Sequence, residues 1–124
     1  MTAVREVMTE QLVTVEPSTS VAAAVTVMGI QRVGAVLVME DARLEGIFTE
    51  RDLVRALSYD IGAASQPVGQ WMTRDPVTVG PEASVERALE IMLAGHFRHL
   101  PVTDGESLVG IVSIRDLSRA TLRE

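Results

Sequence analysis

Two short motifs in this sequence each place a hydroxyl three residues before an aspartate: TERD at Thr49–Asp52 and SIRD at Ser113–Asp116. This spacing is typical of a capping box, in which hydroxyl and carboxylate each accept a backbone N–H at a helix start. A helix start also favours anions, through its unpaired amides and its dipole. Aspartate repels phosphate, but it can accept two hydrogen bonds from a cis-diol such as ribose. The motifs therefore predict helix caps, with contact to a nucleoside phosphate as the alternative or additional role.

The two motifs belong to a repeat that runs through the chain at a constant offset of 64 residues, the separation of Asp52 and Asp116. At this offset Met8–Thr9 matches Met72–Thr73, and Arg51–Leu53 matches Arg115–Leu117. Such a repeat indicates that each unit packs against its twin, because neither buries its apolar face alone. The predicted parts of this one compact module are a first unit at 1–60, a linker at 61–66 and a second unit at 67–124.

Hydrophobic patterning and caps predict that each unit runs strand, helix, strand, strand, helix. Ser20 and Ser84 are suitable N-caps for the first helix of each copy. Asp104–Gly105 is a hairpin signal. The elements expected in the first copy are strand Val13–Val15, helix Val21–Gln31, strands Val33–Met39 and Leu44–Phe48, and a helix after Thr49; in the second, helix Val85–Ala94 and a helix after Ser113.

Composition argues against several classes of function. The net charge of −6 disfavours a nucleic-acid binder, which needs a basic face. The chain has no cysteine, which excludes disulfides and thiolate metal sites. His96 and His99 are the only histidines, and no acid completes a metal-ligand spacing with them. We therefore expect no metal and no nucleic-acid partner.

Motifs for catalysis and targeting are absent from the sequence as well. It contains no P-loop, no GxGxxG, no HExxH and no nucleophile–base pair in a recognisable context. Its longest apolar run, Val21–Ile30, is too short to span a membrane, and because the N-terminus lacks a basic stretch followed by an apolar one we expect no signal peptide. We expect a cytoplasmic protein that is not an enzyme and has no membrane partner.

The paired segments LEGIFTERDL and LVGIVSIRDL, with the matching VMTE and WMTR segments, resemble a tandem pair of CBS (cystathionine beta-synthase) domains, a Bateman module. The resemblance covers essentially the whole chain. It implies an α/β (α+β) fold of two βαββα units packed by pseudo-twofold symmetry, with two clefts between them. The family's usual ligands are adenosine compounds: AMP, ADP, ATP and S-adenosylmethionine.

The family's Gly-apolar-apolar-[Ser/Thr]-x-x-Asp motif matches Gly46–Asp52 and Gly110–Asp116. The resemblance implies that Asp52 and Asp116 contact ribose hydroxyls, with Thr49 and Ser113 near ribose or phosphate. It also implies that each cleft combines the motif of one unit with the central strand of the other.

The two clefts are expected to differ, because the repeat breaks where Gly34–Ala35 in the first copy corresponds to Arg98–His99 in the second. Small residues let a flat base approach the backbone, and basic residues can bond phosphate. The favoured ligand-binding cleft is predicted to contain Thr19, Gly34, Ala35, Arg98, His99, Ser113, Arg115 and Asp116; the weaker cleft contains Thr49, Arg51 and Asp52. The alternative assigns Arg98 and His99 to a solvated or satisfied strand end, and Gly34–Ala35 to close packing.

The predicted function is regulatory: an adenosine nucleotide, AMP, ADP or ATP, binds the favoured cleft and its occupancy changes packing or dimerisation. No cofactor is required. A sensor of S-adenosylmethionine or a related adenosyl ligand is one alternative. A dimerisation or scaffold module without a ligand is the other. A homodimer is expected, together with a regulated protein that the sequence does not identify.

Overall fold

A computed structural model of the protein describes residues 1–123, so the predicted end of the second unit, residue 124, lies outside the described residues. The chain forms two compact units. We call Val13–Pro76 the first-motif unit, because it contains Asp52. The second-motif unit contains Asp116 and combines Met1–Leu12 with the chain from Val77 onward. Both mix strands and helices, which confirms the predicted α+β class and its repeated units.

The first-motif unit is a four-stranded sheet with two α-helices. Its elements are β1 (Thr14–Val15), α1 (Val21–Gln31), β2 (Ala35–Glu40), β3 (Arg43–Thr49), α2 (Glu50–Tyr59), the 3-10 helices Ile61–Ser65 and Val68–Gln70, and β4 (Thr73–Arg74). The strand order is β1-β2-β3-β4, in which β1 and β2 run parallel and the other pairs are antiparallel. The core lies between this sheet and α1, and Phe48 is its largest fully buried side chain.

The second-motif unit repeats this plan with a shorter sheet. Its elements are the 3-10 helix Val4–Glu6, α3 (Val85–Gly95), β5 (His99–Asp104), β6 (Ser107–Ser113) and α4 (Ile114–Arg123). Antiparallel β5 and β6 are flanked by single bridges, from Thr9 to Ile111 and from Val79 to Val102. Gly105 turns the hairpin with a φ of 62°, as its Asp-Gly signal predicts.

The predicted helix starts are confirmed. Ser20 caps α1 by accepting from the Ala23 amide, and Ser84 caps α3 by accepting from the Arg87 amide. The α1 helix has the predicted bounds, and α3 extends one residue beyond the prediction, to Gly95. The helices expected after the two motif hydroxyls begin there, at Glu50 and Ile114.

The compact units exchange an edge segment relative to the sequence repeat: residues 67–76 of the second copy belong to the first-motif unit, and residues 1–12 of the first copy belong to the second-motif unit. Thr73, from the second copy, pairs with Ile47 of β3 in the first-motif unit. Thr9, from the first copy, pairs with Ile111 of β6 in the second-motif unit. β3 and β6 are the motif strands, because each ends at the hydroxyl of a motif. Each motif strand thus gains a hydrogen-bonding partner from the other copy, which satisfies an otherwise open strand edge. The repeat is therefore a unit of sequence, whereas the compact unit is assembled from parts of both copies.

The segment predicted as a linker, 61–66, packs inside the first-motif unit. Ile61–Ser65 is a 3-10 helix in contact with α1 and α2, and Ala63 is fully buried. The Gln66 carbonyl accepts a hydrogen bond from the Val21 amide at the start of α1. This segment joins the two sequence copies and also closes one compact unit.

Glycine is required where the exchanged segment meets β3. A Cβ on Gly46 would lie 2.6 Å from the carbonyl oxygen of Thr73 and 2.7 Å from the sulfur of Met72. The backbone oxygen cannot move without disturbing the pairing of β3 with β4. A side chain at this position would therefore separate the edge segment from the sheet.

We expect Gly46→Ala to lower the free energy of unfolding by about 1–3 kcal/mol, the usual cost of overpacking. Gly29→Ala is the matched control, since nothing lies within 4 Å of a Cβ at that site in α1. There the greater helix propensity of alanine should stabilise the protein by about 1 kcal/mol. Urea unfolding followed by circular dichroism measures both changes. Equal effects for the two variants would contradict this account of Gly46.

Candidate functional site

The first motif holds its aspartate in a nearly closed environment. Asp52 is 5% exposed. Its Oδ2 accepts from the Thr49 amide at 3.0 Å and from Thr49 Oγ1 at 3.2 Å, and Thr49 Oγ1 accepts from the Asp52 amide at 3.2 Å. This is the predicted capping box. On the other side of the carboxylate, Oδ1 accepts from Thr73 Oγ1 at 3.1 Å.

An arginine from the next helical turn also reaches this carboxylate. Arg55 Nη2 lies 3.5 Å from Asp52 Oδ1 and donates to the Trp71 carbonyl at 2.6 Å. Its guanidinium also sits 5.9 Å from the centre of the Trp71 ring. The indole N–H of Trp71 donates to Gln66 Oε1 at 2.9 Å. Thr73 and Arg55 were not among the predicted site residues, although both occur at repeated positions.

The second motif forms the same cap with fewer additional contacts. Asp116 is half-buried, and its Oδ2 accepts from the Ser113 amide at 3.0 Å and from Ser113 Oγ at 2.9 Å. Ser113 Oγ in turn accepts from the Asp116 amide at 3.2 Å. Within the described residues of this unit, the hydrogen bonds to the Asp116 side chain both end on Oδ2. The capping box thus fixes the carboxylate through one oxygen.

β2 and β5, the strands that precede the two motif strands, each begin beside a motif. In the second-motif unit, His99 pairs with Ser113, and the Arg98 carbonyl accepts from the Ile114 amide at 2.9 Å. Arg98 and Arg115 are exposed, and His99 is half-buried. The backbone of the unit therefore brings Arg98, His99 and Arg115 to the end of the sheet where Asp116 lies, and guanidinium groups are suited to binding an anion.

The small residues occupy the corresponding place in the first-motif unit. Ala35, which is buried, pairs with Thr49, and the Gly34 carbonyl accepts from the Glu50 amide at 3.1 Å. Arg51 is exposed on the first turn of α2. The strand start beside Asp52 therefore supplies no basic side chain.

Thr19 is held in the turn that leads into α1. Its Oγ1 accepts from the Glu16 amide at 3.1 Å, and its carbonyl accepts from the Val68 amide at 2.7 Å. Thr19, Gly34 and Ala35 belong to the first-motif unit, whereas the other predicted residues of the favoured cleft belong to the second-motif unit. Their grouping into one site remains a prediction.

A separate open groove of about 580 Å³ lies in the second-motif unit. Glu10, Glu82 and Asp104 line it, and its one basic residue, Arg5, is paired with Glu82 at 2.9 Å. Across residues 1–123, no cluster of three or more histidines, cysteines or acids forms a metal site. None of the helices described is long and apolar enough to cross a membrane.

Comparison with known proteins finds the same pattern over the whole chain. The CBS domain profile matches residues 4–59 and 68–123. A protein of Acidianus ambivalens, described as an uncharacterized 17.7 kDa protein in the bps2 3' region, is 41% identical over 124 residues, which cover 98% of this chain and 74% of that protein.

Solved structures agree with the sequence match. The CBS-domain containing protein ATU1752 from Agrobacterium tumefaciens has a TM-score of 0.93 at 35% identity, over 97% of this chain and 99% of that one. CBSX2, solved in complex with AMP, has a TM-score of 0.84 at 31% identity, over 99% of this chain and 98% of that one. With its two strand–helix motifs, their capping boxes and these matches, the protein belongs to the CBS domain family and carries two such domains in its 124 residues.

Proposed function

We propose that the protein is a regulatory module that binds an adenosine nucleotide, AMP, ADP or ATP, through the second motif. The observation that carries the proposal is the half-buried Asp116 carboxylate, which its capping box fixes through Oδ2. A carboxylate that is already oriented in the free protein loses little conformational entropy when it accepts hydrogen bonds from ligand hydroxyls. The complex of the related CBSX2 with AMP supports this class of ligand.

The charges around Asp116 suit the phosphate end of such a ligand. Arg98 and Arg115 are exposed, and the His99 backbone pairs with that of Ser113, which opens the motif. A guanidinium bonds phosphate through charge-assisted, often bidentate contacts, and helix N-terminal amides favour the same anion. Asp116 alone would repel phosphate, so we assign it to the ribose and the basic groups to the phosphate.

Two alternatives share part of this chemistry. S-adenosylmethionine carries the same ribose but no phosphate, so it would use Asp116 without needing Arg98. A scaffold would use both motifs as helix caps only. In the favoured proposal the protein is a homodimer without catalytic activity, and ligand occupancy alters its affinity for a regulated protein. Such coupling requires the ligand to bind the two states unequally.

We expect AMP or ATP to raise the melting temperature of the wild-type protein, because a ligand of the folded state at 100 times its Kd adds about 2.7 kcal/mol. Asp116→Asn should abolish this rise, whereas Asp52→Asn should retain it on a less stable protein. Differential scanning fluorimetry across ligand concentrations measures both. A response that depends on Asp52 instead would reverse our ranking of the motifs. No response to AMP, ATP or S-adenosylmethionine would favour the scaffold.

Assignment of Arg98 to phosphate gives a second expectation. Arg98→Ala should weaken AMP binding about tenfold, the value of one charge-assisted contact, while adenosine binds the variant and the wild type alike. Isothermal titration calorimetry compares the two ligands. Arg87→Ala is the control: it removes an equal charge from an exposed arginine paired with Glu90 in the same unit. If Arg98→Ala lowers the affinity for AMP and for adenosine by the same factor, Arg98 does not contact the phosphate.

A further inference from the structure

The two motif aspartates differ in how many of their acceptor positions the protein itself occupies. Both use Oδ2 for the capping box. Oδ1 of Asp52 also accepts from Thr73 Oγ1 at 3.1 Å and faces Arg55 Nη2 at 3.5 Å. A ribose diol needs two acceptor positions on one carboxylate. In the first motif, protein donors already bond both oxygens.

The repeat makes this difference informative, because the same residue types are present in the second copy. Thr9 occupies the position of Thr73, and Arg119 that of Arg55. Thr9 bonds β6 through its backbone, yet within the described second-motif unit its hydroxyl makes no hydrogen bond to Asp116. A threonine and an arginine in sequence register are therefore not sufficient to occupy the aspartate.

One residue beside this contact that differs between the copies is Trp71, whose counterpart is Val7. Trp71 contacts Arg55 in two ways: its backbone carbonyl accepts from Nη2 at 2.6 Å, and the centre of its ring lies 5.9 Å from the guanidinium carbon. Arg55 and Arg119 are both exposed, but valine offers Arg119 no ring to pack against. The Gln66 side chain fixes Trp71 in turn, by accepting from its indole N–H. Trp71 thus positions Arg55, and the exchanged edge segment that carries Trp71 also carries Thr73.

We infer that Thr73, with Arg55 held by Trp71, closes the first motif to ligand by occupying Asp52 Oδ1, so that these residues determine which motif binds. This inference rests on the proposed function, since it concerns the choice between the two motifs for the same ligand. It assigns Asp52 to the structure of the first-motif unit. Thr73 is then a specificity-determining residue that acts through Asp52.

The expected size of the effect follows from the hydrogen bond that a ligand must displace. A bond to a charged acceptor has a net value of about 1.5–3 kcal/mol, which corresponds to about ten- to hundredfold in an equilibrium constant. A ribose hydroxyl that displaces Thr73 Oγ1 only replaces one hydrogen bond to Asp52 Oδ1 with a similar one. The contact therefore adds almost nothing to the free energy of ligand binding. With Thr73 absent, the same hydroxyl gains the full contact.

The test uses AMP and the full chain, by isothermal titration calorimetry. Asp116→Asn should remove wild-type binding. Adding Thr73→Val to Asp116→Asn should restore binding at the first motif, with affinity at least about tenfold above that of Asp116→Asn. Asp52→Asn in that double variant should abolish it again. The matched control adds Thr9→Val to Asp52→Asn, and should change AMP affinity less than about twofold, because Thr9 does not engage Asp116.

Each result decides between the two proposals. If wild-type protein binds AMP through Asp116 but Thr73→Val restores nothing, the inference about Thr73 is overturned and the proposed function stands. Wild-type binding that depends on Asp52 also overturns the inference. If wild-type protein binds no AMP, the proposed function fails and the role of Thr73 in ligand choice fails with it.

A measurement without ligand checks the contact independently. Thr73→Val should lower the melting temperature of the wild type, but should lower it far less in Asp52→Asn, because both changes remove one interaction. Thr9→Val and Asp116→Asn should be additive. Additivity of Thr73→Val with Asp52→Asn would show that this hydrogen bond does not restrain Asp52, and the inference would be rejected.

Discussion

At the junction between each motif strand and the helix after it, one carboxylate performs two tasks. Asp52 and Asp116 each accept the amide of the motif hydroxyl residue, and each donates its own amide to that hydroxyl. The exchange satisfies donors that would otherwise be unpaired at the helix start. It also fixes the carboxylate at the end of a strand with one oxygen committed. The other oxygen is left to bond with nearby residues or with a ligand. The residues around the junction therefore determine whether this carboxylate is available to a ligand.

Those neighbours come from distant parts of the chain. The edge segment beside β3 belongs to the second sequence copy, and the segment beside β6 belongs to the first. Gly46 permits the close approach, because a Cβ there would meet the Thr73 carbonyl. The exchange of edge segments between the copies therefore places Thr73 beside Asp52, and Thr9 beside β6, the strand before Asp116. A change in one copy of the sequence alters the surroundings of the motif in the other.

Much of the fold was predictable from the sequence, because its signals are local. The caps at Ser20, Ser84, Thr49 and Ser113, and the hairpin at Gly105, follow from residue type and spacing, and the structure confirms them. The grouping of the predicted ligand-binding residues into one site stays a prediction. Arg98 and His99 lie beside Ser113 because strand register places them there. The hydrogen bond from Thr73 to Asp52 joins residues 21 apart and depends on side-chain direction, which no local pattern encodes. The contact of Arg55 with Asp52 is an i,i+3 pair on α2, so its spacing was open to prediction and was missed.

The repeat itself explains why two copies of one motif need not make two copies of one site. A capping box requires only four consecutive residues, so duplication preserves it in both places. The surroundings of the second carboxylate oxygen depend instead on an arginine of the same copy, and on a threonine and a tryptophan or valine from the other copy. Divergence at Trp71 and Val7 changes that acceptor without disturbing either helix start. A duplicated module can therefore keep two folding signals while specialising one carboxylate for structure and leaving the other to a ligand.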